Sequence, residues 1–599
     1  MEIKEMLKYL MHLDTVDVDE LARGICSKNT LYKAKNGERM INGVQFYYMI
    51  RRLFLSQERF QIMIDGDENK YFIWLYESRK TIIEEKYEKL SEFVSPDTEK
   101  QFKAFQPMLG YEISFIRYII SMETGSSVEE AYQYIRNSVE YMISEDGRLR
   151  AGRYGTDELN RFMNYLEFVL ITGKASEEKV REGFMQILEM TEMKTRDPWE
   201  EAKLYPRIVS YMLNSVGHII PAEIWKTLLI RALECLKRTW RCYDLPEILR
   251  LLIKVDGQSD YAEKERYKKW YEAVCKAYDV AEYSPSFNRY DSHDTAAQLY
   301  LIHEYLKRNR DSVVKNGKTL SQQELSDGIM NLDNYSRVET GKHRPRKTHF
   351  EDLTRRLGVS PYFYQGEIVT ENPKDFSLMS DIREAGNRGD KDRLRTTLKT
   401  LKEDLDLEYT VNRQFIDEHQ LSLDIMDGII TREKSIPKLI EILSYTIPYR
   451  IDEKHVYTRL EGEILYRIVE TKRSCGSLTD EDVEILRTYV KNVESAKQST
   501  WDRKQLQKRL LAGILQTKGE LKEAEKLARE CVQEMVEAQE ALVMPDCLDI
   551  LAESIIIKDR DQAAELLKAA YWICDLREDI LNKQGIEQFY QEMFQTSIN

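Results

Sequence analysis

The stretch Leu320-Ser321-Gln322-Gln323-Glu324-Leu325-Ser326-Asp327-Gly328-Ile329-Met330-Asn331-Leu332-Asp333-Asn334-Tyr335-Ser336-Arg337-Val338-Glu339-Thr340-Gly341 carries its own punctuation. Ser321 stands where a helix N-cap is needed, and Glu324, three residues on, completes a capping-box pattern. Gly328 supplies the left-handed residue that ends a short helix. Asn331 or Asp333 can cap the next helix, which runs to Glu339 and stops at Thr340-Gly341. Pro345 blocks continuation, and a further helix is expected from about Thr348 to Leu357. Short helix, tight turn, second helix, extended link and third helix make a helix-turn-helix layout.

The same layout occurs earlier in the chain. A shift of 304 residues aligns Glu20–Phe60 with Glu324–Tyr364 without a gap, and ten of the 41 positions are identical. They are Glu20, Leu21, Gly24, Ile25, Gly37, Phe46, Arg51, Arg52, Leu53 and Ser56. Average residue frequencies give roughly two or three by chance. Lys33/Arg337, Ala34/Val338, Met49/Leu353 and Leu55/Val359 match in size and polarity. Asp19-Glu20-Leu21 opens the first copy, Gly24 turns it, Ser27 caps its second helix and Asn36-Gly37 stops that helix. The pattern reads as an internal duplication.

With 599 residues the chain exceeds one domain. Apolar residues make up 42%, and only 13 prolines and 26 glycines interrupt it, so the expectation is all-α. Helical hairpins fill the stretch after each module. Leu511-Ala512, Leu515, Gly519, Ala524 and Leu551-Ala552, Ile555, Asp559, Ala564 share a spacing in which small residues let antiparallel helices approach, as in tetratricopeptide-like repeats. Tyr118, Met122, Gly125 and Ala131 follow a looser version, while 155–193 and 198–240 show helical periodicity alone. The expected division is a first module at 1–66, an array at 67–290, a second module at 291–368 and a second array at 369–599.

The residues Gly24-Ile25-Cys26-Ser27, Thr30-Leu31, Lys33 and Asn36-Gly37 make the first copy resemble Cro/C1-type DNA-binding domains, especially those of the Rgg- and PlcR-type regulators of Gram-positive bacteria. The second copy, through Leu320-Ser321-Gln322, Glu324-Leu325-Ser326, Ser336-Arg337, Glu339 and Gly341, resembles them too. The resemblance implies a transcription regulator that binds double-stranded DNA and is controlled, as in quorum sensing, by a signalling peptide held in the array, with a protein ligand or a homodimer left open. The chain departs from that pattern by carrying two modules. Val18 stands where the second copy has Gln322, a position the family uses for phosphate, and Leu332 and Asp333 occupy positions the family uses to read bases.

In a helix-turn-helix the second helix enters the major groove, polar side chains read base edges, and cations and amides hold phosphates. Lys28, Asn29 and Lys33 are the base-edge candidates of the first copy, with Ser27 and Thr30 near phosphate. In the second, Asp333, Ser336 and Arg337 are the base candidates. Gln322, Lys342, Arg344, Arg346 and Lys347 are the phosphate candidates. Arg51-Arg52 and Arg355-Arg356 recur in both copies, as contacts or as a solvated helix face. In the first array Asn160 and Asn164, one helical turn apart, suit a peptide backbone because an amide both donates and accepts, and Arg207 with Asn214 form a similar set. The alternative for these four is plain surface polarity.

A net charge of −14 opposes nucleic-acid binding by the chain as a whole. The charge is uneven, however: the window 301–365 carries +4 and 1–65 carries +1. The eight scattered cysteines show no zinc spacing and read as reduced thiols in a cytoplasmic protein; no leader or membrane span is expected. No metal or other cofactor is expected, and no nucleophile, metalloprotease or phosphate-loop motif supports an enzyme. A second reading is an interaction adaptor whose arrays hold a partner and whose modules are vestigial.

Overall fold

A computed structural model of the chain describes residues 8, 11, 16–39, 41–55, 61–195, 197–255, 261–292, 298–315, 318–357, 368–370, 372, 374–451, 457–495 and 505–598. The described residues are overwhelmingly helical. The first module holds α1 (Val18–Ala22), α2 (Lys28–Lys35) and α3 (Gly43–Arg52), followed by β1 (Gln61–Ile64). Asp17 caps α1, Ser27 caps α2 by accepting from the Thr30 amide, and Asn42 with Gln45 forms a capping box on α3. Gly24 and Gly37 sit at φ +74° and +76°, where a side chain is strained.

From α4 (Gly66–Ile83) the chain builds an array: α5 (Pro96–Gln101), α6 (Met108–Thr124), α7 (Val128–Val139), α8 (Thr156–Ile171), α9 (Glu177–Lys194), α10 (Pro198–Val216), α11 (Ala222–Thr239), α12 (Leu245–Val255) and α13 (Tyr261–Val280). Successive helices pack as hairpins, α6 on α7 and α10 on α11 among them. Gly125, left-handed at φ +72°, makes the turn after α6, and Ala131 lies buried in α7. The second module follows as β2 (Gln298–Leu301), α14 (Ile302–Ser312), a short hairpin of β3 (Val314–Lys315) and β4 (Lys318–Thr319), α15 (Gln322–Ser326), α16 (Leu332–Glu339) and α17 (Lys347–Leu357). Ser321 and Glu324 form the capping box. Asn331, rather than Asp333, caps α16, and it occupies the position equivalent to Ser27. Ser56, Ser360 and Val359 lie outside the described residues.

The last part is α18 (Lys374–Arg388), α19 (Lys391–Asp404), α20 (Thr410–Met426), α21 (Arg432–Ser444), α22 (Arg459–Ser474), α23 (Asp480–Ser495), α24 (Gln505–Thr517), α25 (Leu521–Glu537), α26 (Met544–Ile555), α27 (Arg560–Arg577) and α28 (Ile580–Phe594). Ala512, Ala524 and Ala552 are fully buried at the close approaches of α24, α25 and α26. Gly519 turns at φ +81° and Asp559 caps α27.

Two long-range junctions close the chain on itself. At one end β1 and β2 pair in parallel, Gln61 with Gln298 through Ile64 with Leu301, and Met63 joins the core of the second module beside Leu306, Tyr335 and Phe350. At the other, α13 packs on α27 and α25, so the helices from Cys531 to Tyr590 share one apolar core with the first module and first array. The Trp270 indole and Arg266 both donate to Asp575 at 2.9 Å, and the Tyr283 hydroxyl donates to Glu537 at 2.7 Å. No helix among the described residues is long and apolar enough to cross a membrane.

Candidate nucleic-acid interface and a backbone-gripping groove

Each short second helix buries one stripe and leaves the other in solvent. In α2, Leu31 and Ala34 are buried while Lys28, Asn29 and Lys33 are exposed. In α16, Tyr335, Val338 and Glu339 are buried while Leu332, Asp333, Asn334 and Arg337 are exposed and Ser336 is half-buried. The base-edge candidates of both copies therefore stand on accessible faces. Lys28 is engaged there by Asp19 at 2.6 Å, and the Ser27 and Thr30 hydroxyls lie 2.9 Å apart at the helix start, with Arg39 donating to Thr30 at 3.4 Å.

The phosphate candidates separate. Lys342 and Arg346 are exposed, and Lys347 is half-buried beside Glu351 at 3.6 Å. Gln322 turns inward: its amide donates to the buried Glu339 carboxylate, which also accepts from Arg310 at 2.6 Å and from the Tyr335 hydroxyl at 2.9 Å. The first copy has Val18 at the Gln322 position and Lys35 at the Glu339 position, so donor and acceptor are absent together. Arg344 also faces the protein. It donates to Asp65 at 2.9 Å and Glu68 at 3.3 Å.

Glu68 ties the two modules together. One carboxylate oxygen accepts from the Gly43 amide at 2.8 Å and from Arg344, and the other accepts from the Asp65 amide at 2.7 Å. The side chain is almost wholly buried, and burial pushes its pKa up against the pull of Arg344. The strand pair β1–β2 lies beside this contact.

Arg51 and Arg52 are the residues that sequence reasoning placed least well. Both are fully buried, and neither lies on a solvated helix face. Arg52 grips Glu158 of α8 with Nε at 3.0 Å and Nη2 at 2.5 Å, while Arg51 meets Asp157 at 3.0 Å. Arg161 reaches Glu112 at 3.0 Å, and the Tyr141 hydroxyl donates to Glu158 at 2.6 Å. Burial pushes the Asp157 carboxyl up, but Arg51, Arg161 and Arg79 outweigh it and hold it well below the usual carboxylate range. Arg52 also donates to the Glu20 and Leu21 carbonyls at 3.1 Å, and Arg356 donates to Glu324 and Leu325 at 3.2 and 2.9 Å. These are equivalent carbonyls, near the ends of α1 and α15. Arg355 is exposed and pairs with Asp352 at 2.9 Å.

In the first array Asn160, Asn164 and Arg207 meet in a buried groove between α8 and α10 that already contains peptide backbone. Arg207 Nη2 donates to the Asn288 carbonyl at 2.5 Å, Asn164 Nδ2 to the Arg289 carbonyl at 3.0 Å and Asn160 Nδ2 to the Tyr290 carbonyl at 3.2 Å. Tyr211, one turn after Arg207, adds its hydroxyl to the Arg289 carbonyl. Sequence reasoning missed Tyr211, although its i+4 spacing from Arg207 mirrors that of Asn160 and Asn164. Asn214 stands apart, donating to Glu247 at 2.7 Å and accepting from Arg250 at 3.2 Å.

No family model matches the chain, and no curated protein matches it. Among solved structures, it is similar to PlcR of Bacillus thuringiensis in complex with the peptide PapR7 and DNA, at 14% identity, with 48% of this chain and 98% of that chain covered and a TM-score of 0.33. It is also similar to the SHP pheromone receptor Rgg2 of Streptococcus dysgalactiae, at 13% identity, with 49% of this chain and 99% of that chain covered and a TM-score of 0.25. Each aligns nearly its whole length with about half of this chain.

Proposed function

We propose that the chain is a sequence-specific DNA-binding transcriptional regulator made by internal duplication of a Cro/C1-type module and a tetratricopeptide-like array, and that a ligand held in the arrays controls it. The observation that carries the reading is the paired presentation of α2 and α16. Each shows solvent a short polar face, Lys28, Asn29 and Lys33 in one and Asp333, Ser336 and Arg337 in the other, on a module otherwise closed by its core. Glu68, Arg344 and the β1–β2 pair hold the two modules in one arrangement, which suits two half-sites read by a single chain. The matched carbonyl contacts of Arg52 and Arg356 support the duplication. Ser27, Thr30, Lys342, Arg346 and Lys347 are the phosphate contacts in this reading; Gln322 and Arg344 act inside the protein.

Footprinting on DNA selected from a random pool tests it. Two protected half-sites are expected, one lost with Lys33→Ala and the other with Arg337→Ala. Protection that neither substitution changes rejects the paired reader.

The adaptor reading draws on Asp333, on the Lys28–Asp19 pair and on the inward Gln322 and Arg344. Salt separates the two. Phosphate contacts make affinity fall steeply with salt, at a slope near −0.9 per contact, whereas an adaptor groove shows no such slope.

A further inference from the structure

The residues that lead from α13 toward β2, 284–292, belong to no helix or strand and run through the groove between α8 and α10. The groove treats them as a ligand. Three successive carbonyls, of Asn288, Arg289 and Tyr290, accept from Arg207, Asn164 and Asn160, a grip on backbone that is blind to side-chain identity. The side chains then find separate places. Phe287 stands edge-on to Tyr211 at 5.0 Å with the Arg207 guanidinium 4.7 Å from its ring, and Arg289 pairs with Glu167 at 3.2 Å. Tyr290 donates to Glu123 at 2.8 Å and stands edge-on to Tyr87 at 5.7 Å.

The fit is incomplete. Asn164 is wholly buried, and its Oδ1 has no hydrogen-bond partner among the described residues. The segment turns here, the Tyr290 and Asp291 amides both donating back to Asn288, so it offers that oxygen no N–H, which a free peptide not tied at its ends can supply. Only five residues of sequence separate Ser292 from β2, whose pairing with β1 holds the two modules together.

We propose that residues 284–292 are a tethered ligand: they fill in cis a groove that takes, in trans, a peptide with an aromatic–Asn–Arg–aromatic core turned at the Asn–Arg pair as Asn288 to Asp291 are. The competing peptide displaces residues 284–292 from the groove. This rests on the ligand-gated reading above and names the chemistry of the ligand.

The probe is a fluorescein-labelled peptide, Ser-Pro-Ser-Phe-Asn-Arg-Tyr-Asp-Ser, offered to the full chain and followed by anisotropy. A variant carrying Phe287→Gly and Tyr290→Gly loosens the segment and is expected to bind the probe at least tenfold more tightly than the unaltered chain. Adding Asn164→Ala is expected to remove that gain. A double variant that melts cooperatively yet binds no more tightly, or binding that Asn164→Ala leaves unchanged, overturns the proposal. Hydrogen exchange on the unaltered chain decides it independently of any variant. The amides of Tyr290 and Asp291, which donate to Asn288, should exchange faster than those of Phe162 to Leu166 in α8, and equal protection makes the segment a permanent strap and overturns the proposal. DNA binding by the same samples is scored separately. Probe capture by a chain that binds no DNA upholds the tethered ligand while removing the transcription reading.

Discussion

Gly24 and Gly328 hold equivalent turns, at φ +74° and +71°, and their surroundings differ. A Cβ on Gly24 would sit 2.7 Å from the Tyr141 ring of the first array, whereas one on Gly328 meets nothing within 4 Å. Gly328→Ala should therefore cost only the left-handed strain, about 1–2 kcal/mol. Gly24→Ala should cost more, because ring and turn must also separate, and urea unfolding of the two variants measures the difference. The Asp333 carboxylate stands exposed at the start of α16; in the proposed DNA complex a carboxylate there repels phosphate and accepts from cytosine. Asp333→Asn is expected to raise affinity for non-specific duplex DNA by several-fold and to relax base preference at one position; unchanged affinity in a filter-binding titration removes Asp333 from the interface. The caps and turn glycines were legible in sequence because each acts within three or four residues. The burial of Arg51 and Arg52 was not, since Asp157 and Glu158 lie 106 residues away.

At the scale of elements, the same arginine position anchors two helices at very different depth. Arg52 links α3 to α8 from full burial, so Arg52→Ala leaves Glu158 as an unpaired buried charge, a loss of about 3–5 kcal/mol. Arg356 is exposed and caps only the end of α15, so Arg356→Ala should cost about 1 kcal/mol. Thermal melts of both variants check the ordering. Acid should strike the α3–α8 junction as well. The folded Asp157 carboxyl lies below its ordinary value of 3.8, so its contribution is present above that pH and is lost as pH falls through the folded value. The Tm gap between the parent chain and Asp157→Asn is expected to narrow below pH 3.8. Helix periodicity and small-residue spacing foretold the hairpins around Ala512, Ala524 and Ala552. Nothing in that spacing says that α27 packs on α13, because an apolar stripe specifies burial and leaves the partner open.

Across the whole molecule, the two junctions convert a linear order of modules and arrays into a closed arrangement. Arg344 belongs to the module junction, so, on the proposed paired reading of DNA, Arg344→Ala should leave each half-site contact intact while blurring their spacing. Footprints on operators with one or two inserted base pairs measure this: tolerance of the insertions is expected from the variant, and equal intolerance in both proteins places the coupling elsewhere. By itself the sequence determined the all-α character, the two capped and glycine-turned modules and the repeated spacing of the last hairpins, because caps, left-handed turns and helical periodicity arise from neighbours along the chain. Only the tertiary structure decided that Arg51 and Arg52 are locks, that Gln322 and Arg344 face inward, and that Asn160, Asn164 and Arg207 hold backbone from residues 288–290. These pairings join residues tens to hundreds of positions apart, and a polar side chain in sequence carries its hydrogen-bonding capacity without the identity of the surface it will meet.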